Sequence, residues 1–236
     1  MDLRDLIFDE EKIQENLPSF RSSRRVSIQD EFFTPSAVLF TIIPFEEKPY
    51  ELVLIKRTDR GLKHRGEMSF PGGKVDPKDR SLRDTALREL EEETGVPREN
   101  VNMLGCLNDF PTLTRYIITG FVGTIPRDQE FQKEDGEVEE IVRIPIDFFI
   151  NKNNFKERGF NIDGKKFPIF YFNFVNPATG KKYTVWGATA HLIVSFIERV
   201  YEMHMSSLNV KRFRVDEIKR IKDYIKFKDK ITPSLK

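Results

Sequence analysis

Residues 69–96, SFPGGKVDPKDRSLRDTALRELEEETGV, set the expectations for the whole chain. The stretch predicts a tight Phe-Pro-Gly-Gly turn, an acidic loop, and a helix that stops at Gly95, because a left-handed C-terminal position tolerates glycine best. At about 100° per residue, Glu92 lies about 60° to one side of Glu89 and Glu93 about 40° to the other. The three share one face, while Glu91 points elsewhere. Leu87 and Leu90 occupy the adjoining face and are expected to hold the helix against a core. Arg88 precedes Glu92 by one helical turn and is placed to brace it.

Carboxylates this close repel one another and are costly to keep ionised without positive charge among them. Hard divalent cations answer this need: Mg²⁺ and Mn²⁺ prefer oxygen ligands and keep positions open for water and phosphate. Glu89, Glu92 and Glu93 are therefore the candidate metal ligands. Gly73 stands beside them as a turn residue whose backbone can approach an ion with no side chain between. An R-E-L-E-E-E string alone describes a solvated helix face more often than a site. Its surroundings decide otherwise. Gly72-Gly73, the acidic loop, Arg88 to Glu93 and Gly95-Val96 together closely resemble the Nudix box, G-x5-E-x7-R-E-U-x-E-E-x-G-U with U apolar. Here Asp79 stands at the first acidic position, and eight residues rather than seven separate it from Arg88. That longer loop is similar to the coenzyme A pyrophosphatase branch of Nudix hydrolases. In the family the first acid is mainly a structural partner.

Just upstream, the branch resembles L-L-T-x-R-S-x3-R-x3-G-x3-F-P-G-G. Leu54, Arg57, Gly66 and Phe70 to Gly73 match it at the right spacing, Val53, Ile55 and Thr58 replace L, T and S, and Leu62 stands where the pattern has Arg. The resemblance implies that Arg57 binds substrate, with Arg60, Lys63 and Arg65 supplying charge near the position that Leu62 takes. Downstream, KEDGEVEEIVRIP (Lys133 to Pro145) resembles the segment in which this branch places an acidic loop before a strand. Glu137 is the expected glutamate facing the metals from outside the box, with Glu139 and Glu140 as rivals. The run Trp186-Gly-Ala-Thr-Ala190 also recurs in the branch; Trp186 is expected to be a buried anchor, with a place bordering the substrate cleft as the alternative.

The resemblance implies a Nudix fold of the α/β (α+β) class, a mixed sheet sandwiched between helices. It also implies a divalent-metal-dependent pyrophosphatase, using Mg²⁺ or Mn²⁺, that cleaves coenzyme A or its derivatives to 4′-phosphopantetheine and adenosine 3′,5′-bisphosphate. Glu92, Glu137 and Arg88 are the catalytic candidates, and Glu137 or a box glutamate would take the proton of the attacking water. Hydrolysis of ADP-ribose, a dinucleotide or a capped RNA stays open, as does a non-catalytic nucleotide-binding role.

The remaining chain is read around this centre. At 236 residues it can bury one substantial core with appendages, and a net charge of +1 gives no sign of a polyanion partner, so nucleic acid is disfavoured. A single cysteine, Cys106, excludes an internal disulfide and fits a reducing compartment; it sits in an apolar run and is expected in the core. The N-terminus is acidic where a signal peptide would be basic, and no apolar run approaches membrane-spanning length. The expectation is a cytoplasmic protein with no membrane partner and a small nucleotide substrate.

Apolar, β-branched runs at Ser36 to Pro44 and Tyr50 to Arg57 predict paired antiparallel strands, and Val101 to Leu107 and Tyr116 to Ile125 predict two more. Phe167 to Val175 and Lys182 to Trp186 predict a hairpin, followed by a helix to about Tyr201. Residues 1–35 are expected to form a short helix and linker, 36–204 the hydrolase domain, and 205–236 a basic, amphipathic helical extension packed on the domain or on a second subunit as a homodimer. No box-like feature lies beyond Ala190, so the extension is expected to be dispensable for chemistry.

Overall fold

The computed structural model describes residues 3–59, 66–162, 164–206 and 218–231. Strand β1 (Thr34–Ile43) is the middle of the molecule, and its sequence says why. Side chains alternate between the faces of a strand. Ala37, Leu39 and Ile43 cluster with Ala86 and Leu90 of helix α2 (Leu82–Thr94). Phe40 and Ile42 cluster with Leu192 and Phe196 of helix α4 (Gly187–Val200) on the other side. A strand covered on both faces reads as an unbroken apolar run rather than an alternation.

Strand β2 (Glu51–Arg57) pairs antiparallel with β1, Thr41 opposite Val53, as the two flanking runs predict. On the other side β7 (Tyr116–Thr124) runs parallel to β1, from Thr34 opposite Tyr116 to Ile42 opposite Thr124. Strand β5 (Asn102–Cys106) continues antiparallel beyond β7, and β8 (Val138–Pro145) flanks β2. Short strands β3 (Met68–Ser69), β4 (Gly72–Lys74) and β6 (Phe110–Pro111) complete an eight-stranded mixed sheet. With α2 on one face and α4 on the other, it is the sheet between helices that was expected.

A second sheet has the order β11 (Lys182–Trp186), β10 (Lys165–Val175), β9 (Phe155–Ile162). The expected hairpin is present, with Val175 opposite Lys182. Strand β9, FKERGFNI, carries no clear sequence signal because it is a half-exposed edge whose charged residues blunt further pairing. The short helix α3 (Ile146–Ile150) leads into it from β8.

At the N-terminus, α1 (Glu10–Asn16) is capped by Asp9, whose Oδ1 accepts the Lys12 N–H at 3.0 Å. The stretch after it is packed rather than loose. Arg25 is buried, its Nε donating to the Leu107 carbonyl at 3.0 Å and its Nη2 to Asp109, which also accepts from the Thr119 hydroxyl and the Ile28 N–H. At the other end, helix α5 (Ile218–Ile231) packs Ile218, Ile221 and Ile225 against Ile28, Phe33, Ile117, Ile162 and Phe167. Among the described residues, no helix is long and apolar enough to cross a membrane.

Candidate active site

The site is organised by α2, whose ends are fixed locally. Ser81 caps the start by accepting the Asp84 N–H at 3.2 Å, and Gly95 ends the helix at φ 72°. Leu87 and Leu90 face the core, and Glu91 turns away to Arg98 at 2.8 Å. The face carrying Glu89, Glu92 and Glu93 looks toward the Gly72-Gly73 turn.

Arg88 ties this face together. Its Nη1 donates to Glu89 at 2.9 Å and Glu92 at 2.8 Å, while Nε and Nη2 grip Asp79 at 2.9 and 3.0 Å and Nη2 reaches the Lys74 carbonyl at 3.1 Å. Asp79 is thus a structural partner, and the Arg88 guanidinium, with help from the Asp76 N–H and the Thr85 hydroxyl, holds its carboxyl well below the usual range. The extra loop residue does not break this grip.

Glu93 is the most deeply set of the three, with its side chain only 3% exposed. It accepts from Arg57 Nη1 at 2.7 Å and from the Gly72 N–H at 2.8 Å. Burial outweighs both and pushes its pKa up to about 8, and the charges of Glu89 and Glu137 push the same way. Burial raises Glu89 as well, against the pull of Arg88 and with added repulsion from Glu92 and Glu137. Glu92 is solvent-facing. Gly73 makes the close approach feasible, since a Cβ there would lie 2.4 Å from Glu89 Oε1.

Of the three acids considered downstream, Glu137 stands at the site. It lines the same cleft as Gly72 and Gly73, and its backbone is held by the Thr58 N–H donating to its carbonyl at 2.9 Å and by its own N–H on Glu134. Glu139 pairs with Lys56 and Glu140 with Lys181 and the Tyr183 hydroxyl. Arg57 lines the cleft, but its guanidinium is bound to Glu93. Arg60, Lys63 and Arg65, with Leu62 among them, lie outside the described residues.

The donor set fits a hard divalent cation: clustered carboxylate oxygens, two of them with pKa values raised by burial and by repulsion from neighbouring acids, beside a glycine turn without side chains. Among the described residues, no three metal-ligating side chains already surround one point. Arg88 lies between Glu89 and Glu92, and Glu93 turns to Arg57.

The cleft has a volume of about 870 Å³ and runs from Gly72, Gly73 and Glu137 along β6, β10 and α4. Two residues of its wall stand out. Trp186 is not a buried anchor: it is 40% exposed, lines the cleft and stacks on Tyr171 with ring centroids 6.2 Å apart, because it ends β11 on the outward side before α4 begins. His191, which was not among the candidate site residues, also lines the cleft, stacked on Phe110 at 4.0 Å and Phe170 at 5.9 Å. The signal for it was available: His191, Ser195 and Glu198 follow helical spacing on a mostly apolar helix, and all three line the cleft.

The chain matches the NUDIX domain family over residues 34–162. It is 33% identical over 165 residues to the Yersinia pestis (strain Pestoides F) protein named "Uncharacterized Nudix hydrolase NudL", covering 70% of this chain and 79% of that one. The protein of the same name from Yersinia pseudotuberculosis serotype O:1b (strain IP 31758) matches with the same values. A solved MutT/nudix family protein from Enterococcus faecalis is similar with a TM-score of 0.46 at 18% identity, covering 86% of this chain and 77% of its own. With the family match spanning more than half of its length, and the box residues standing together beside the glycine turn, the chain belongs to the Nudix hydrolase family.

Proposed function

We propose that the nucleotide derivative this Nudix hydrolase cleaves at its pyrophosphate is coenzyme A or one of its derivatives, giving 4′-phosphopantetheine and adenosine 3′,5′-bisphosphate, with Mg²⁺ or Mn²⁺ as cofactor. The observation that carries the reading is the pattern from Leu54 to Gly73 running straight into the box, with its lengthened loop at Asp79. A cleft of about 870 Å³, near the upper end of the usual range for ligand sites, suits a substrate longer than a simple nucleotide.

Glu89, Glu92 and Glu93, with the Gly73 carbonyl, would hold the metal, exchanging bonds to Arg88 and Arg57 for bonds to the ion. Bound there, a divalent cation supplies Lewis acidity toward a phosphate oxygen and a lowered pKa for the attacking water. Glu137, or one of the box glutamates, takes the water's proton on a carboxylate oxygen. Arg88, anchored by Asp79, keeps the helix face in register with the turn and offers its charge to the phosphates. Arg57, Arg60, Lys63 and Arg65 would bind the nucleotide end, the last three recognising its 3′-phosphate.

The test is product identification by mass spectrometry with coenzyme A, dephospho-coenzyme A and ADP-ribose. The expected order of kcat/KM is coenzyme A, then dephospho-coenzyme A, then ADP-ribose, because the last two leave the basic loop without its phosphate. Equal values, or ADP-ribose leading, would replace this reading with a general nucleoside-diphosphate hydrolase.

A further inference from the structure

The net charge of +1 hides an uneven distribution. From Asn151 to Trp186, the stretch that builds β9, β10 and β11, there are seven Lys or Arg residues against two acids. Register decides where they point, because side chains opposite each other in a sheet share a face. Phe170, Phe172, Phe174 and Val185 line the inner face and belong to the core. Glu157, opposite Phe170 on that same face, accepts the Ser206 hydroxyl at 2.7 Å.

The outer face carries Lys156 and Arg158 from β9, Tyr171 from β10, and Lys182 and Trp186 from β11. Helix α5 covers its other half, at Phe160 and Phe167. Here the face is open: Lys156, Arg158 and Lys182 are exposed, Trp186 is 40% exposed, and among the described residues of the three strands no acid points this way. Two rings and a guanidinium stand in a row across it. Trp186 and Tyr171, directly opposite each other, lie 7° from parallel with centroids 6.2 Å apart, and Arg158 Cζ lies over the Tyr171 ring at 5.8 Å.

Rings and cations interleaved in this way suit a ligand that is flat and negatively charged at every step. Inorganic phosphates leave the rings unused, and an acidic peptide carries no flat groups in step with its charges. A single nucleic acid strand has both, and each base stacked on an aromatic side chain contributes about 1–3 kcal/mol. Paired bases are already stacked on one another, and RNA is the nucleic acid that presents unpaired bases in its loops and ends.

We propose that the outer face of the β9–β11 sheet binds single-stranded RNA, with bases stacked on Trp186 and Tyr171 and phosphates held by Lys156, Arg158 and Lys182. Three strands span about 10 Å, room for about two or three nucleotides. The surface meets the cleft at Trp186 but lies outside the box, and it does not depend on which nucleotide derivative is hydrolysed. Net charge pointed away from a polyanion partner because the rest of the chain offsets this segment.

Trp186 is the sole tryptophan of the chain, so its emission reads the contact itself. The full chain, in EDTA to prevent hydrolysis, is titrated with a short oligouridylate bearing a 3′-fluorescein, following Trp186 emission and label anisotropy together. Both are expected to saturate at a common Kd on the order of 1–100 μM, with log K falling against log salt at a slope of about −2, the value for three neutralised phosphates. Tyr171→Ala is expected to weaken binding about tenfold, and Lys156→Glu with Arg158→Glu to weaken it at least as much and flatten the salt dependence. Lys219→Glu with Lys228→Glu, on the exposed side of α5, is expected to leave it unchanged. If Tyr171→Ala does not fold by circular dichroism, the charge-reversal pair on β9 decides. Absence of saturable binding at low salt overturns the proposal. Equal affinity for a duplex of the same length, or binding of phosphatidylserine vesicles in its place, overturns it as well, since neither presents bases to the rings. Loss of binding in the α5 pair but not in the sheet variants, or complete displacement of the RNA by ADP-ribose, puts the strand elsewhere with the same result.

Discussion

Glu93 and Asp79 lie on one helix-loop unit, and their surroundings drive them in opposite directions. Burial pushes Glu93 up to about 8, while Arg88 holds Asp79 well below the usual range. Glu93 and its neighbour Glu92 are acids whose charge would be completed by a cation. Glu92→Gln or Glu93→Gln is expected to lower kcat by about 10²-fold or more, the scale lost with a positioned charged group, while circular dichroism and Tm stay near wild type. Near-normal turnover of both variants at saturating Mg²⁺ and Mn²⁺ would remove them from the site. Asp79 carries structure instead. Because its folded pKa is depressed, its contribution to stability is present above the ordinary value of 3.8 and is lost as pH falls below it. Asp79→Asn is expected to cost about 1.5–3 kcal/mol at pH 7, the usual worth of a charged hydrogen bond, with the gap to wild type closing as pH falls below that value. Denaturant unfolding of both proteins across pH would show a constant gap if the carboxylate charge were irrelevant.

At the scale of elements, legibility followed how local each signal was. Helix α2 could be read from its own residues: the stop at Gly95, the core pair Leu87 and Leu90, and the turning away of Glu91 all depend on neighbours within a few turns. The runs that became β1 and β2 could be read because a strand buried on both sides leaves an apolar stretch. The parallel pairing of β1 with β7 left no such trace, since it joins Thr34 to Tyr116 across most of the domain. Strand β9 escaped for the opposite reason, its edge position filling it with Lys, Glu and Arg. The segment carrying RSSRR resembles a linker in composition, yet Arg25 reaches a carboxylate far along the chain. Its side chain is 1% exposed and that of Asp109 3%, so truncating one partner leaves an uncompensated buried charge. Arg25→Ala is expected to cost about 3–5 kcal/mol by denaturant unfolding. A cost under about 1 kcal/mol, the surface-pair value, would return this stretch to the status of a loose connection.

On the scale of the whole molecule, both sheets, α4 and α5 contribute to the walls of the cleft, and the N- and C-terminal parts of the chain meet in the cluster of Ile28 and Phe33 with Ile218, Ile221 and Ile225. The cleft therefore depends on residues far from the box, which explains why the box itself was readable and the walls at Trp186, His191 and Ile221 were not. Cys106 sits where these dependencies converge. Its N–H donates to the Pro18 carbonyl at 2.9 Å, its side chain is sealed in the α2-side core, and burial pushes its thiol up to about 12. Being the sole cysteine in the chain, it is a built-in reporter. A thiol reagent can modify it only during excursions that open this core, so labelling kinetics measure the frequency of that opening directly. Added Mg²⁺ or Mn²⁺ should slow the reaction if the face of Glu89, Glu92 and Glu93 and this core open as one cooperative unit, and leave it unchanged if they open separately.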